Sequence, residues 1–122
     1  MGGALERVNK GLEKIKTITG WGLVKVEKDF SITYEGRPPE LIAASERARI
    51  NYSMQAVFAL MTESGFLAFH AIDILNGSAF DGLFNLVEAV WGQRPEMRIV
   101  LDGTSIGFKA PRRLNFNTIM ID

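Results

Sequence analysis

The 122-residue chain contains no cysteine, and this absence excludes several kinds of site. Without thiols there is no disulfide framework, no thiolate metal site and no cysteine nucleophile. The sequence also has no excess of one charge, because fourteen basic residues balance fourteen acidic ones. No overall field therefore draws the chain to nucleic acid or to an anionic membrane. With a single histidine, His70, any histidine-dependent chemistry within one chain is limited to that residue.

Long apolar runs are also missing. No stretch approaches the roughly 20 apolar residues of a membrane span, and the first residues lack the basic-then-apolar pattern of a signal peptide. We therefore predict a soluble, cytoplasmic protein with no membrane partner. A composition of 47% hydrophobic and 23% charged residues is typical of a globular chain. The length predicts one domain over residues 1–122.

Residues 1–19 are predicted to form an amphipathic helix. Its apolar residues recur at spacings of three and four, which is typical of one helical face. They are Leu5, Val8, Leu12 and Ile15. Such a face either packs on its own domain or pairs with another helix, as the stub of a coiled coil would. In the second case these residues form an association helix in front of an α/β lobe over residues 20–122.

The other hydrophobic patterns predict an α/β fold. Two alternating runs, 24–26 and 30–34, predict a hairpin. Residues 66–72 are a short apolar run of the kind seen in strands buried on both faces. Three more elements follow the turn residues Asp73, Asn76, Gly77 and Ser78: a helix from Phe80, a buried strand over 97–101 and a last strand over 114–121. The apolar residues of this helix recur at helical spacing and are Phe80, Leu83, Phe84, Val87 and Val90 or Trp91. The order predicts a mixed, partly parallel sheet of about five strands with three helices packed on it.

The longest predicted helix covers residues 44–62. We predict that it buries one apolar face formed by Ile50, Met54, Val57, Phe58 and Met61. Ser45 or a neighbour is predicted to cap its start, where Glu46 suits the positive end of the helix dipole. Arg47 and Arg49 are unfavourable at that end, so we predict that they reach an acidic side chain or a partner.

Few residues are candidates for chemistry. His70 lies in an apolar run without an acidic neighbour, which favours a neutral core histidine, hydrogen-bonded to the backbone or a side chain, over a catalytic base. Asp73 is explained by the turn, and Asp81 by the dipole of the following helix. A metal site built from Asp73, Asp81 and Asp102 is the alternative, because turns after neighbouring parallel strands can converge. No phosphate-binding or nucleophile-elbow motif occurs, so we predict no cofactor, no metal and no catalytic residues.

Several basic residues are candidates for nucleic-acid contact. They are Arg47, Arg49, Lys109, Arg112 and Arg113. The last three lie in one predicted loop, where cations are more often simply solvated. The balanced net charge also counts against a nucleic-acid-binding protein.

The order of hairpin, long helix, hydrophobic strand, turn, helix and strand resembles the C-terminal lobe of an ABC-type ATPase head. The most similar heads are those of the SMC family and its DNA-repair and phage relatives. The run Ile42-Ala43-Ala44-Ser45-Glu46-Arg47 resembles the signature motif of these proteins, and Ser45, Glu46 and Arg47 match it. The run His70-Ala71-Ile72-Asp73-Ile74-Leu75-Asn76 resembles the Walker B and D-loop motifs, which it matches at Asp73 and Leu75.

The resemblance implies that the residues needed for nucleotide hydrolysis have been replaced. Ala43 and Ala44 stand where a serine hydroxyl and a glycine amide would approach the γ-phosphate. His70 replaces the aspartate that orients the magnesium shell, Ala71 the glutamate that polarises water, and Asn76 the D-loop aspartate. Losing one such group commonly raises the barrier by about 2.7–4 kcal/mol. The resemblance therefore implies a pseudoenzyme.

The implied function is a non-catalytic protein-interaction module that self-associates or binds another ATPase head. In such heads the sheet of this lobe continues into the other lobe, so a lobe on its own exposes an edge and an apolar face that need a partner. One alternative is a subunit of a composite ATPase whose P-loop lies on a partner chain. The other is a small nucleic-acid-binding protein.

Overall fold

The fold is that of a computed structural model, which describes residues 2–75 and 77–102 and only the backbone of Asp73. Within these ranges the chain is a mixed α/β protein, as predicted. Its helices are α1 (Gly2–Thr19), α2 (Ala44–Met61) and α3 (Ser78–Gln93), and its strands are β1 (Val24–Val26), β2 (Ile32–Tyr34), β3 (Phe66–Phe69) and β4 (Arg98–Leu101). Short 3-10 helices lie at Pro39–Leu41 and Ile72–Ile74. The predicted strand over 114–121 is outside the described residues.

The four described strands form two sheets of two strands each, whereas one mixed sheet of about five strands was predicted. β1 and β2 pair antiparallel, whereas β3 and β4 pair parallel. The side chain of Asn9 contributes to this separation by hydrogen bonding to the free edge of β1. Asn9 of α1 donates from Nδ2 to the Val26 carbonyl at 3.0 Å and accepts from the Val26 N–H at 2.9 Å. Helix α1 thus supplies hydrogen bonds that a further strand would make along this part of β1.

Helix α1 packs on its own domain, which was one of the two alternatives. Val8, Leu12 and Ile15 are all buried in the core, and Leu5 packs against it from a half-buried position. The helix lies against α3, β1 and α2. The apolar face of α1 is thus covered by the rest of the chain, so α1 cannot use this face to associate with another helix.

The predicted apolar face of α2 is only partly buried: Val57 lies in the core and Ile50 and Met54 pack against it, but Phe58 and Met61 do not. Phe58 and Met61 are 48% and 40% exposed, while Tyr52 is buried at 1% exposure. The Tyr52 ring packs edge-on against Phe69, with the ring centroids 5.3 Å apart, and lies 6.5 Å from Trp21. Its hydroxyl donates to the carbonyl of His70 at 2.6 Å. Burying this large ring with a satisfied hydroxyl turns Phe58 and Met61 outward.

The crossover from β3 to β4 has the predicted parallel arrangement. Gly77, with φ 54° and ψ −132°, is the N-cap of α3. The predicted apolar face of α3 is confirmed at Leu83, Phe84, Val87 and Val90, which are all buried. Among the described residues, no helix is both long and apolar enough to cross a membrane.

The prediction that β3 and β4 are buried on both faces is wrong. Leu67 and Phe69 face the core, but Phe66 is 56% exposed and Val100 of β4 is 44% exposed. Because side chains alternate along a strand, one face of the small sheet packs on the helices and the other faces outward. The apolar runs suggested burial on both faces because they contain hydrophobic residues at the outward positions as well.

Candidate functional site

His70 is an exposed residue at the carboxyl end of β3, not the core histidine that was predicted. About 71% of its side chain is exposed, and its Nδ1 contacts Oδ2 of Asp102, which follows β4. The two residues are adjacent because β3 and β4 run parallel and in register. The carboxyl ends of parallel strands are where α/β proteins usually place functional groups.

Several hydrogen bonds hold the carboxylate of Asp102 in place. Its Oδ1 accepts from the N–H of Ala71 at 3.1 Å, and the backbone N–H of Asp102 donates to the Phe69 carbonyl at 3.0 Å. The hydrogen bond from Ala71 lowers the pKa of the Asp102 carboxyl most, and the contact with His70 lowers it further. Asp102 is therefore ionised at neutral pH. With that carboxylate at Nδ1, neutral His70 carries its proton on Nδ1 and leaves Nε2 as an acceptor.

Ala71 adopts a left-handed conformation between His70 and the 3-10 helix. Its φ and ψ are 55° and 43°, a region that an alanine enters only at a cost of about 1–2 kcal/mol. Such strain is often found at functional sites. Here the hydrogen bond from the Ala71 N–H to Asp102 stabilises this conformation.

We expect Ala71→Gly to raise the free energy of unfolding by about 0.5–1 kcal/mol, because glycine relieves the strain at some cost in unfolded-state entropy. Chemical denaturation measures the change. The control is Ala68→Gly in β3, which should instead lower the free energy of unfolding by about 1 kcal/mol. A loss of stability in both variants would show that Ala71 is not strained.

The alternative metal site includes Asp73, whose side chain is outside the described residues, so the structure describes only its other two members, Asp81 and Asp102. In the described ranges no group of three or more His, Asp or Glu side chains is arranged to hold a metal ion. Asp102 faces His70 and Ala71, and Asp81 lies in the first turn of α3. The side chain of Asp73, like all of Asn76, is outside the described residues, so those two members of the predicted Walker B and D-loop run cannot be placed.

His70 and Asp102 lie at one end of the outward side of the β3–β4 sheet. The register pairs Phe66 with Arg98 and Ala68 with Val100, and alternation places His70 and Asp102 on the same side. We call this surface the outer face; its residues are Phe66, Ala68, His70, Arg98, Val100 and Asp102. Its centre is apolar, a cation lies at one end, and the His70–Asp102 pair lies at the other. Among the described residues, the exposed Arg98 makes no ion pair.

The predicted signature-motif residues Ser45, Glu46 and Arg47 lie in the first turn of α2. Ala43, and not Ser45, is the N-cap. Glu46 accepts from the Ala43 N–H at 3.1 Å and forms an ion pair with Arg37. Both contacts lower the pKa of the Glu46 carboxyl, and the contact with Arg37 has the larger effect. They tie the start of α2 to the loop that follows β2.

The predicted nucleic-acid contacts are only partly described. Arg47 donates to the Pro39 carbonyl, and Arg49 donates to the hydroxyl of Tyr34, each at 3.3 Å. Arg49 also acts electrostatically on the carboxylate of Glu46, which agrees with the prediction of an acidic neighbour for this arginine. Both arginines have acceptors within the chain. Lys109, Arg112 and Arg113 lie outside the described residues.

Neither the protein-family models, nor the curated proteins, nor the solved structures contain a match to this chain. The resemblance to ABC-type ATPase lobes therefore stays a prediction from the motifs.

Two residues of the site were missed by the sequence analysis. Asp102 was considered only as a metal ligand, although it directly follows an apolar run, as His70 nearly ends one. Arg37 was not among the candidate residues, yet it pairs with Glu46 and lies 5.7 Å from the centre of the Tyr34 ring. No local sequence pattern indicates that Arg37 contacts Glu46, nine residues later, because the conformation of the loop between them determines whether the two side chains meet.

Proposed function

We propose that the chain is a cytoplasmic, non-catalytic protein-interaction module that resembles the C-terminal lobe of an SMC-type ATPase head. It acts through self-association or by binding another ATPase head. The observation that carries this proposal is the outer face, where Phe66 and Val100 are 56% and 44% exposed on a sheet that has two strands among the described residues. An exposed apolar sheet face of this kind favours a protein partner.

The arrangement around the crossover supports the non-catalytic part of the proposal. A parallel β3–β4 pair joined through α3 is the topology that the resemblance implies. At its carboxyl end, the methyl group of Ala71 cannot accept a proton from water. His70, at the position of the magnesium-orienting aspartate, faces the carboxylate of Asp102. Because phosphoryl transfer depends on positioning and charge stabilisation, these replacements are incompatible with the hydrolysis mechanism of that family.

The energetics favour covering the outer face. Fully burying a phenylalanine or valine side chain contributes about 1.5–3 kcal/mol. About half of the surface of Phe66 and of Val100 is exposed, and a partner would bury it. Association must first offset the lost translational and rotational freedom. A moderate interaction that depends on concentration is therefore expected.

Phe66→Ser is expected to weaken self-association, or binding to an ATPase head, because it removes the largest apolar side chain of the outer face. Size-exclusion chromatography with light scattering measures the mass, and circular dichroism confirms that the variant is folded. The control is Leu41→Ser, which removes a side chain that is 64% exposed in the 3-10 helix before α2. Equal association of wild type and Phe66→Ser would argue against the outer face as the interaction surface.

A further inference from the structure

We propose that the outer face binds the outer face of a second copy, in a two-fold arrangement that sets Arg98 of each copy against the partner's Asp102. This inference rests on the proposed function and specifies the surface and the partner. It follows from the order of charges and apolar groups along β3 and β4, which is self-complementary when the strands of the two copies run in opposite directions.

The symmetry follows from the parallel register. Phe66 pairs with Arg98, and Ala68 with Val100, so the outer face has two columns of alternating residues. A two-fold axis between the sheets, perpendicular to the strands and level with Val100, reverses the strand direction and places β4 over the partner's β4. Residue 100 then meets its own copy, and residue 98 meets residue 102. In the other column Phe66 meets the partner's His70, and Ala68 meets the partner's Ala68.

The charges favour this arrangement. The exposed guanidinium of Arg98 makes no ion pair among the described residues. The Asp102 carboxylate, held ionised by Ala71 and His70, retains acceptor capacity beyond those two contacts. The two ion pairs lie at the ends of the strands, about 13 Å apart at the usual rise of a strand. Between them Val100 and Ala68 form an apolar centre.

The competing two-fold arrangement has its axis along the strands. It sets Arg98 over the partner's Phe66 and Asp102 over the partner's His70. The guanidinium would then be covered without a carboxylate, which costs desolvation energy that no ion pair offsets. The arrangement with opposed strands is therefore preferred. Because each face offers only a few side chains, the dimer should be weak and in rapid exchange.

Complementary charge reversal tests the pairing directly. Arg98→Glu sets two carboxylates against each other, and Asp102→Lys sets two cations against each other, so each variant alone should dimerise about tenfold more weakly or worse. An equal mixture of the two should restore dimers, because Glu now faces Lys and Arg faces Asp. Sedimentation velocity of each variant and of the mixture measures this. Arg7→Glu on α1 is the control, with the same change of charge at an exposed position away from the sheet, and it should dimerise like wild type.

Three results would overturn the inference. The first is that the wild type dimerises and Arg98→Glu dimerises equally well. This would leave self-association, and with it the proposed function, intact on another surface. The second is that the mixture fails to recover dimers although circular dichroism shows both variants folded. The third is a monomeric wild type at every concentration; the proposed function would then depend on binding to an ATPase head.

Discussion

Gly82→Ala is expected to lower the free energy of unfolding by about 2–4 kcal/mol, because the methyl group would be forced into a filled interface. A Cβ on Gly82 would lie 2.5 Å from the backbone oxygen of Thr19 and 2.5 Å from Nε1 of Trp21. Trp21 is buried, and its Nε1 donates to the Ala79 carbonyl at 3.0 Å. Neither group can move without separating α1 from α3 or breaking this hydrogen bond. The higher helix propensity of alanine offsets only about 1 kcal/mol.

Chemical denaturation of Gly82→Ala and of a matched variant, Gly92→Ala, measures this effect. Gly92 lies in the same helix, and no atom would be within 4 Å of its Cβ. Gly92→Ala should therefore leave stability unchanged or raise it by up to about 1 kcal/mol. If both substitutions had the same effect, the close approach of α3 to the end of α1 would be incorrect.

Arg94→Ala is expected to lower the free energy of unfolding by about 2–3 kcal/mol. The guanidinium donates to the carbonyls of Ser64 at 3.1 Å and Leu60 at 3.0 Å, and it also contacts the carbonyl of Thr62. One charged side chain thus satisfies carbonyls at the C-terminus of α2 and in the turn before β3. Without the guanidinium, carbonyl oxygens that water can reach form hydrogen bonds to water. Those that water cannot reach lose this hydrogen bond without replacement.

Two controls separate this effect from a general loss of charge. Arg7→Ala, at an exposed position on α1, should change stability by no more than about 0.5 kcal/mol. Arg94→Lys should recover only part of the loss, because an ammonium lacks the planar fork that reaches several carbonyls. Thermal or chemical unfolding measures all three variants. Equal stability of Arg94→Lys and wild type would contradict the role given to the guanidinium geometry.

The sequence predicted elements whose signal is local. The spacing of Val8, Leu12 and Ile15 predicted α1, and that of Leu83 and Val87 predicted the buried face of α3. In both cases hydrophobic periodicity coincides with burial. The alternation of strand and helix also predicted the parallel pairing of β3 with β4. The two helical faces depend on residues within a few turns of each other, and the parallel pairing follows from the order of neighbouring elements.

The errors in the fold arise from contacts between distant residues. The orientation of α2 depends on Tyr52, whose ring meets Trp21 and Phe69 and whose hydroxyl finds the His70 carbonyl. The separation of the sheets depends in part on Asn9, which hydrogen-bonds to β1. Neither role is visible in a local pattern, because a tyrosine or asparagine on a helix is usually partly solvated.

The His70–Asp102 contact was not predictable without the register of β3 against β4. The two residues are separated by 32 positions, and a shift of one residue would turn Asp102 to the opposite face of the sheet. The outer face was missed for a related reason. Apolar runs at residues 66–72 and 97–101 predicted buried strands, and only the structure distinguishes side chains that pack on the helices from those that are exposed.

Sedimentation equilibrium of the wild-type chain, from micromolar to millimolar concentration, tests the central claim most directly. The claim is that another protein molecule binds the outer face and covers Phe66 and Val100. It predicts an average mass that rises with concentration from the 13.6 kDa of one chain towards twice that value, or complex formation with an ATPase head. A mass of 13.6 kDa at every concentration, with no ATPase head bound in a pull-down, would contradict it.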